Sequence, residues 1–177
     1  MSRKDISINL PETASAAQRI TVRAPAFENN APVPDKYSAY HDGISPALEW
    51  SGVPAEAKSV VLMLEDPDAP TTEPFVHWLI INLSPTETSL PENVPNGENI
   101  SGFAQAQQGA NDAGGQGYYG MLPPAGDPPH HYHFQVFALD TTIDLLADFS
   151  RMELLDAINK HVLAKGETIG TYERKEK

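Results

Sequence analysis

The nine residues FVHWLIINL, Phe75–Leu83, constrain the fold more than any other stretch of this chain. Drawn as an extended strand, they put apolar side chains on both faces, interrupted only by His77 and Asn82. A strand covered on both sides belongs at the centre of a sheet, with packed material above and below it. Two further runs read as strands because they are apolar, β-branched or aromatic and are bounded by turn residues. They are SVVLMLED (Ser59–Asp66) and HYHFQVFALD (His131–Asp140), with ITVRAPAF (Ile20–Phe27) a weaker fourth. The 16 prolines and 12 glycines are spread along the chain, as a β-rich domain with many turns requires. A mainly β single domain over residues 1–177 is expected, with residues 1–19 as an irregular N-terminal extension.

One helix is signalled near the C-terminal end. Ser150 and Glu153 have the spacing of a capping box, in which each side chain satisfies a backbone N–H at the helix start. Leu155, Ile158 and Val162 follow on one face, and Gly166 after Lys165 reads as the stop. Ser84 to Tyr118 is rich in Pro, Gly, Asn and Gln, with Gln107, Gln108, Asn111, Gly114, Gly115 and Gly117 clustered. Loops of that length in a compact domain are usually functional or disordered. This one reads as a surface connection whose C-terminal end approaches a site.

Charge narrows the function classes. There are 12 basic and 24 acidic residues, a net charge of −12, and no Lys or Arg lies between Lys58 and Arg151. A nucleic-acid binder needs a basic footprint, and none is visible. Zero cysteines exclude disulfides, thiolate metal sites and cysteine nucleophiles. No apolar stretch approaches a membrane span, and the N-terminus lacks a signal-peptide segment, so a cytoplasmic location is expected. Neither a G-x-S-x-G elbow nor a phosphate-cradling glycine loop is present.

Strand parity sorts the polar residues. Tyr132, Phe134, Val136 and Ala138 share one apolar face, and His130 extends it; His131, His133 and Gln135 lie on the other. Val60, Leu62 and Leu64 likewise share a face that ends in Asp66. Pro67 and Pro70 then stiffen the turn DPDAP, where an Asx-type hydrogen bond is the purely structural alternative for Asp66. His77 sits inside the most apolar strand, where a satisfied core histidine is the ordinary reading. Asp66, His77, His130 and Tyr132 all need partners if buried, and pairing around one pocket supplies them together. A metal reading fares worse. His131-x-His133 has half the cupin pattern, but no Glu follows at short spacing and the only later histidine is His161, in the predicted helix. No metal or other cofactor is expected.

DPDAP (Asp66–Pro70), His77–Trp78 and GYYGMLPPAGDPPHHYHFQVFALD (Gly117–Asp140) resemble the phosphatidylethanolamine-binding protein (PEBP) family, in its prokaryotic Raf kinase inhibitor-like branch. ISPALEWSGVP (Ile44–Pro54) and HVLAKGETIGTYER (His161–Arg174) fit the same branch, so the match covers roughly residues 20 to 174. The resemblance implies an antiparallel β-sandwich with Greek-key connections and peripheral helices, including a C-terminal one. It implies a pocket for phosphate-like anions or phospholipid head groups, built from Asp66, His77, His130 and Tyr132 with Asp68 and Pro124 at its edges. It further implies a ligand-binding regulator of a kinase or other enzyme, and a homodimer. Two positions depart from the pattern. Met121-Leu122 stand where many members have Pro and a small residue, and His131 stands where many have Arg.

Three functions follow as expectations. The first is a binding protein for a small anionic or zwitterionic ligand, the anion held by histidinium so that affinity falls between pH 5.5 and 8. The second is an enzyme using Asp66 and His130 for acid–base chemistry on a small carbonyl or ester, with Tyr132 donating a hydrogen bond. The third is an interaction module acting through its acidic surface.

Overall fold

The computed structural model describes residues 5–175. Ten strands form: β1 (Thr21–Arg23), β2 (Ala31–Pro32), β3 (Leu48–Ser51), β4 (Ser59–Asp66), β5 (Phe75–Leu83), β6 (Ser89–Leu90), β7 (Asn99–Ile100), β8 (Phe103–Gln108), β9 (His130–Leu139) and β10 (Val162–Tyr172). One α-helix, α1 (Arg151–Ile158), precedes β10. Seven strands make one sheet in the order β2-β10-β9-β4-β5-β8-β7, and β1-β3-β6 make a second. The run β9-β4-β5-β8 is antiparallel throughout, with its last strand returning beside its first, which is the Greek-key order. The pair β10–β2 is parallel, the one exception among these pairings to the expected antiparallel sandwich.

β4 and β5 have the limits expected from their apolar runs, and both lie centrally. Val60, Leu62, Leu64, Trp78, Ile80, Phe134 and Val136 pack on one face against Val22, Leu48, Trp50 and Leu90 of the small sheet. Val61, Met63, Leu79, Ile81 and Phe137 pack on the other against Ile6, Ile8, Phe149, Leu154 and Ile158. The double-sided apolar pattern thus has two physical partners. Among the described residues, no helix is long and apolar enough to cross a membrane.

Three expectations change. The capping box at Ser150 and Glu153 forms, but α1 ends at Ile158 with Asn159 as its cap. Val162 and Gly166, expected on the helix and at its end, belong to β10. That strand pairs with β9 from Val162↔Leu139 to Tyr172↔His130, and the ladder outweighs the i, i+3, i+7 pattern. Its interruptions have tertiary causes: buried Lys165 donates to the carbonyls of Ile8 and Thr13, and Glu167 bonds His133.

The described part of the N-terminal extension is irregular but docked. Ile6, Ser7, Ile8 and Thr13 are buried on the reverse face of the large sheet. Residues 1–4 of that expected extension lie outside the described residues. The long connection from Ser84 to Tyr118 also contains β6, β7 and β8. Within it Gln108 is fully buried, accepting from Trp78 Nε1 and donating to the carbonyls of Pro95 and Gly97.

Candidate functional site

β4 ends in Asp66, β9 begins at His130, and β5 carries His77 near its start. Because β4 runs antiparallel to both neighbours, all three polar residues arrive at the same end of the sheet. Asp66 is buried with both oxygens in use. Oδ1 accepts the Asp68 N–H at 2.8 Å, and Oδ2 accepts His130 Nδ1–H at 2.8 Å. The structural Asx-type bond and the pairing with histidine therefore coexist on one carboxylate.

His130 is bracketed. Its second ring nitrogen, Nε2, donates to Asp127 Oδ2 at 3.0 Å. The hydrogen bond to Asp66, opposed by burial and helped by Asp127, pushes His130 up to about 9. The charged ring is thus shared between two carboxylates, with neither N–H left over for a ligand. Because the pKa is raised on folding, this pairing stabilises the fold fully below the unfolded value near 6.5. The contribution, on the order of 3 kcal/mol, is lost as pH rises through about 9. Denaturant unfolding should show that decline across about pH 6.5 to 9.5, and His130→Gln should flatten it. A flat wild-type profile would mean that the ring is not charged in the fold.

His77 has the opposite character. Nδ1 lies 2.7 Å from the Tyr119 carbonyl, which can only accept, so Nδ1 carries the hydrogen and Nε2 presents a lone pair in the neutral ring. Burial lowers its pKa against the smaller pull of the Tyr119 bond and of Asp66 and Asp112. The ring lies edge-on to Tyr132 at 5.3 Å between centroids, with Phe75 at 4.8 Å and Tyr119 at 5.9 Å. The Tyr132 hydroxyl is sealed in protein with no hydrogen-bond partner. Burial, and then the charge of Asp66, hold it protonated far above the usual phenol range.

These groups line a cleft of about 480 Å³ with Phe75, Asp112, Tyr119, Leu122 and Pro124. Asn111 builds one wall. Its side chain accepts from the N–H groups of Ala113 and Gly115 and donates to the Gly117 carbonyl. Asp112 then accepts from the Val76 N–H at 2.8 Å, tying the loop to β5. A larger depression of about 740 Å³ surrounds Tyr40, Tyr172 and Arg174, but its buried hydroxyl, Tyr172, is already bonded to Asp35 and Ser38. The 480 Å³ cleft is the one that holds an unanswered polar group.

A family model described as phosphatidylethanolamine-binding protein matches residues 23–173. The chain belongs to this family. A UPF0098 protein of Methanothermobacter thermautotrophicus is 41% identical over 155 residues, covering 88% of this chain and 99% of that one. A PEBP homologue of Chlamydia trachomatis has a solved structure with a TM-score of 0.77 at 39% identity, covering 89% of this chain and 99% of the other. E. coli YbcL, described as a member of the mammalian PEBP family, gives a TM-score of 0.82 at 32% identity over the same shares.

Within this PEBP fold, the structure brings Asp66, His77, His130, Tyr132 and Pro124 to one cleft. Asp68 is not a wall of it. Its carboxylate turns to His131, accepting from both the backbone N–H and Nδ1 at 2.8 Å. His133 lies buried on the reverse face, bonded to Glu167 at 3.1 Å. Among the described residues no group of three or more His, Asp or Glu is arranged to hold a metal ion. Of the two departures near the rim, Leu122 lines the mouth and is 42% exposed, whereas Met121 is fully buried beneath the Tyr118 hydroxyl.

The sequence reading missed Asp127, Asp112, Phe75 and Tyr119. Asp127 stands three residues before His130, and GDPPH could have suggested it as a partner. Phe75 precedes His77 by two and so shares its face. Asp112 follows the flagged Asn111 directly, and Tyr119 closes the flagged glycine cluster.

Proposed function

We propose that this PEBP-family protein is a small-ligand binding protein whose cleft holds a phosphate- or carboxylate-bearing, head-group-like molecule, and that the bound state regulates a partner enzyme. The observation that carries the reading is the Tyr132 hydroxyl, buried in the cleft wall without a partner. Leaving such a group unsatisfied costs about 1–3 kcal/mol, a cost that a ligand oxygen would relieve. The family likeness supports ligand binding in the same sense.

Acid–base catalysis is the weaker alternative. His130 is bonded through both nitrogens and has no idle proton or lone pair to offer a substrate, and each Asp66 oxygen already accepts one hydrogen bond, Oδ2 from the charged ring, which weakens the carboxylate as a base. A charged ring held up to about 9 is also a poor base near neutrality. The histidine pH dependence expected from the sequence moves accordingly. His130 stays charged from pH 5.5 to 8, so its titration supplies no loss of affinity over that window.

Tyr132→Phe tests the reading. The unpartnered hydroxyl goes, so the melting temperature should rise by about 2–4 °C, while affinity for phosphoethanolamine should fall about tenfold. Equal affinity in both proteins by calorimetry would remove Tyr132 from the ligand contact, and with it the support for this cleft.

A further inference from the structure

The cleft's polar groups are nearly all committed, and what remains has a definite sense. Both oxygens of Asp66 and both nitrogens of His130 are bonded within the protein. Asp112 Oδ2 is taken by the Val76 N–H, and His77 Nδ1 by the Tyr119 carbonyl. Among the described residues, two groups of the buried cleft-lining side chains are left without a protein partner: the Tyr132 hydroxyl, which can donate to a ligand oxygen that reaches it, and His77 Nε2, which can only accept. No Lys or Arg lines the cleft.

A phosphate dianion offers acceptors only, so against His77 Nε2 it would set lone pair against lone pair. One added proton turns that repulsion into a hydrogen bond. Resting on the binding reading above, we propose that the cleft takes up one proton with its ligand: a phosphate monoester or free phosphate enters as the monoanion, its P–O–H donating to His77 Nε2 and a second oxygen accepting from the Tyr132 hydroxyl.

The proton comes from solvent, and R–OPO₃²⁻ plus H⁺ gives R–OPO₃H⁻ with no other bond made or broken. It resides on the ligand rather than the ring. Burial, the largest effect, opposes charging His77; the Tyr119 carbonyl, Asp66 on β4 and Asp112 in the loop favour it less strongly, and charged His130 on β9 adds a small further opposition. Tyr119 and Tyr132 are the other titratable groups against the ring, and Tyr132 stays protonated. A phosphodiester has no second ionisable oxygen and cannot supply the P–O–H. The structure therefore favours a monoester over a lipid-type diester.

Calorimetric titrations of the intact protein with inorganic phosphate, phosphoethanolamine and glycerophosphoethanolamine test this. Each is run in buffers of different ionisation heat at about pH 8 and about pH 5.5. The first two probes should take up nearly one proton at the higher pH and clearly less at the lower, where inorganic phosphate is already monoanionic and the monoester is so in large part. Their affinity should fall about tenfold per pH unit above neutrality. The diester should bind at least about tenfold more weakly and without pH dependence. His77→Gln, which puts an amide N–H where the lone pair was, should bind without proton uptake, with folding checked by thermal melting.

Binding by wild type without proton uptake at about pH 8 overturns the proposal and leaves the binding reading standing. A diester that binds as tightly as the monoester also overturns it and identifies a lipid head group as the occupant. Absence of binding by every probe removes this proposal and the phosphate form of the binding reading.

Discussion

Replacing Glu65 by alanine is expected to cost about 3–5 kcal/mol of stability, enough to leave the protein marginally folded. Glu65 is wholly buried, on the face of β4 opposite Asp66. Its carboxylate accepts from the Ser7 N–H at 2.7 Å, the Ser7 hydroxyl at 2.8 Å and Gln135 Nε2 at 2.6 Å, and it pairs with Arg151 Nε. One side chain thus pins the N-terminal segment and the first residue of α1 onto the reverse face of the sheet. Gln135 continues the network by accepting the Ile8 N–H at 2.7 Å.

A buried ion pair gains little over a well-packed apolar pair, but removing one partner strands the other charge and its donors. The alanine variant leaves Arg151 largely buried and three donors unanswered. Glu65→Gln keeps the shape and some acceptors, so its loss should be smaller. Denaturant unfolding of the three proteins measures both. An alanine variant within about 1 kcal/mol of wild type would show that the carboxylate does not hold these segments together.

Gly166→Ala should be nearly as damaging, at about 3 kcal/mol or more. A Cβ at this position would lie 1.7 Å from the Ile20 carbonyl oxygen and 2.6 Å from its carbon. That neighbour is backbone, so no rotamer change relieves the contact. Separation would also break the hydrogen bonds that draw residues 17–20 alongside β10, from Ile20 N–H to the Lys165 carbonyl at 3.1 Å and from Lys165 N–H to the Ala17 carbonyl at 2.9 Å. The expected readout is a fall in melting temperature of roughly 6–12 °C. A shift of only a degree or two would show that the two backbones can separate freely.

Both residues mark where the sequence was hard to read. Gly166 stands where a helix stop would stand, and the helical spacing of Leu155, Ile158 and Val162 supports that local reading. Its real constraint is a second backbone almost 150 residues earlier, which no window of sequence contains. Glu65 alternates correctly with Asp66, but its need for Ser7, Gln135 and Arg151 depends on three distant segments meeting behind β4. The candidate cleft divides in the same way. Alternation put Asp66 on the Leu62–Leu64 face and His130 with Tyr132, and the structure brings those residues together. Asp127 stands near enough to His130 in sequence to be a candidate partner, but only the turn between them decides that its carboxylate folds back onto the ring.

The sequence by itself determined which way the residues of β4 and β9 face, but not the register shift beside His77 that puts Val76 and Trp78 on opposite sides of the sheet. Side-chain parity follows from the pleat of each strand, and the double-sided apolar run Phe75–Leu83 demanded cover on both faces. Only the tertiary structure decided which groups are spent and which remain. His130 had the residue type of an anion-binding cation, but two carboxylates enclose its charge. His77, on an apolar strand, keeps one ring nitrogen without a protein partner among the described residues. Parity is a property of consecutive peptide units, whereas hydrogen-bond commitments depend on register and packing between segments far apart in the chain.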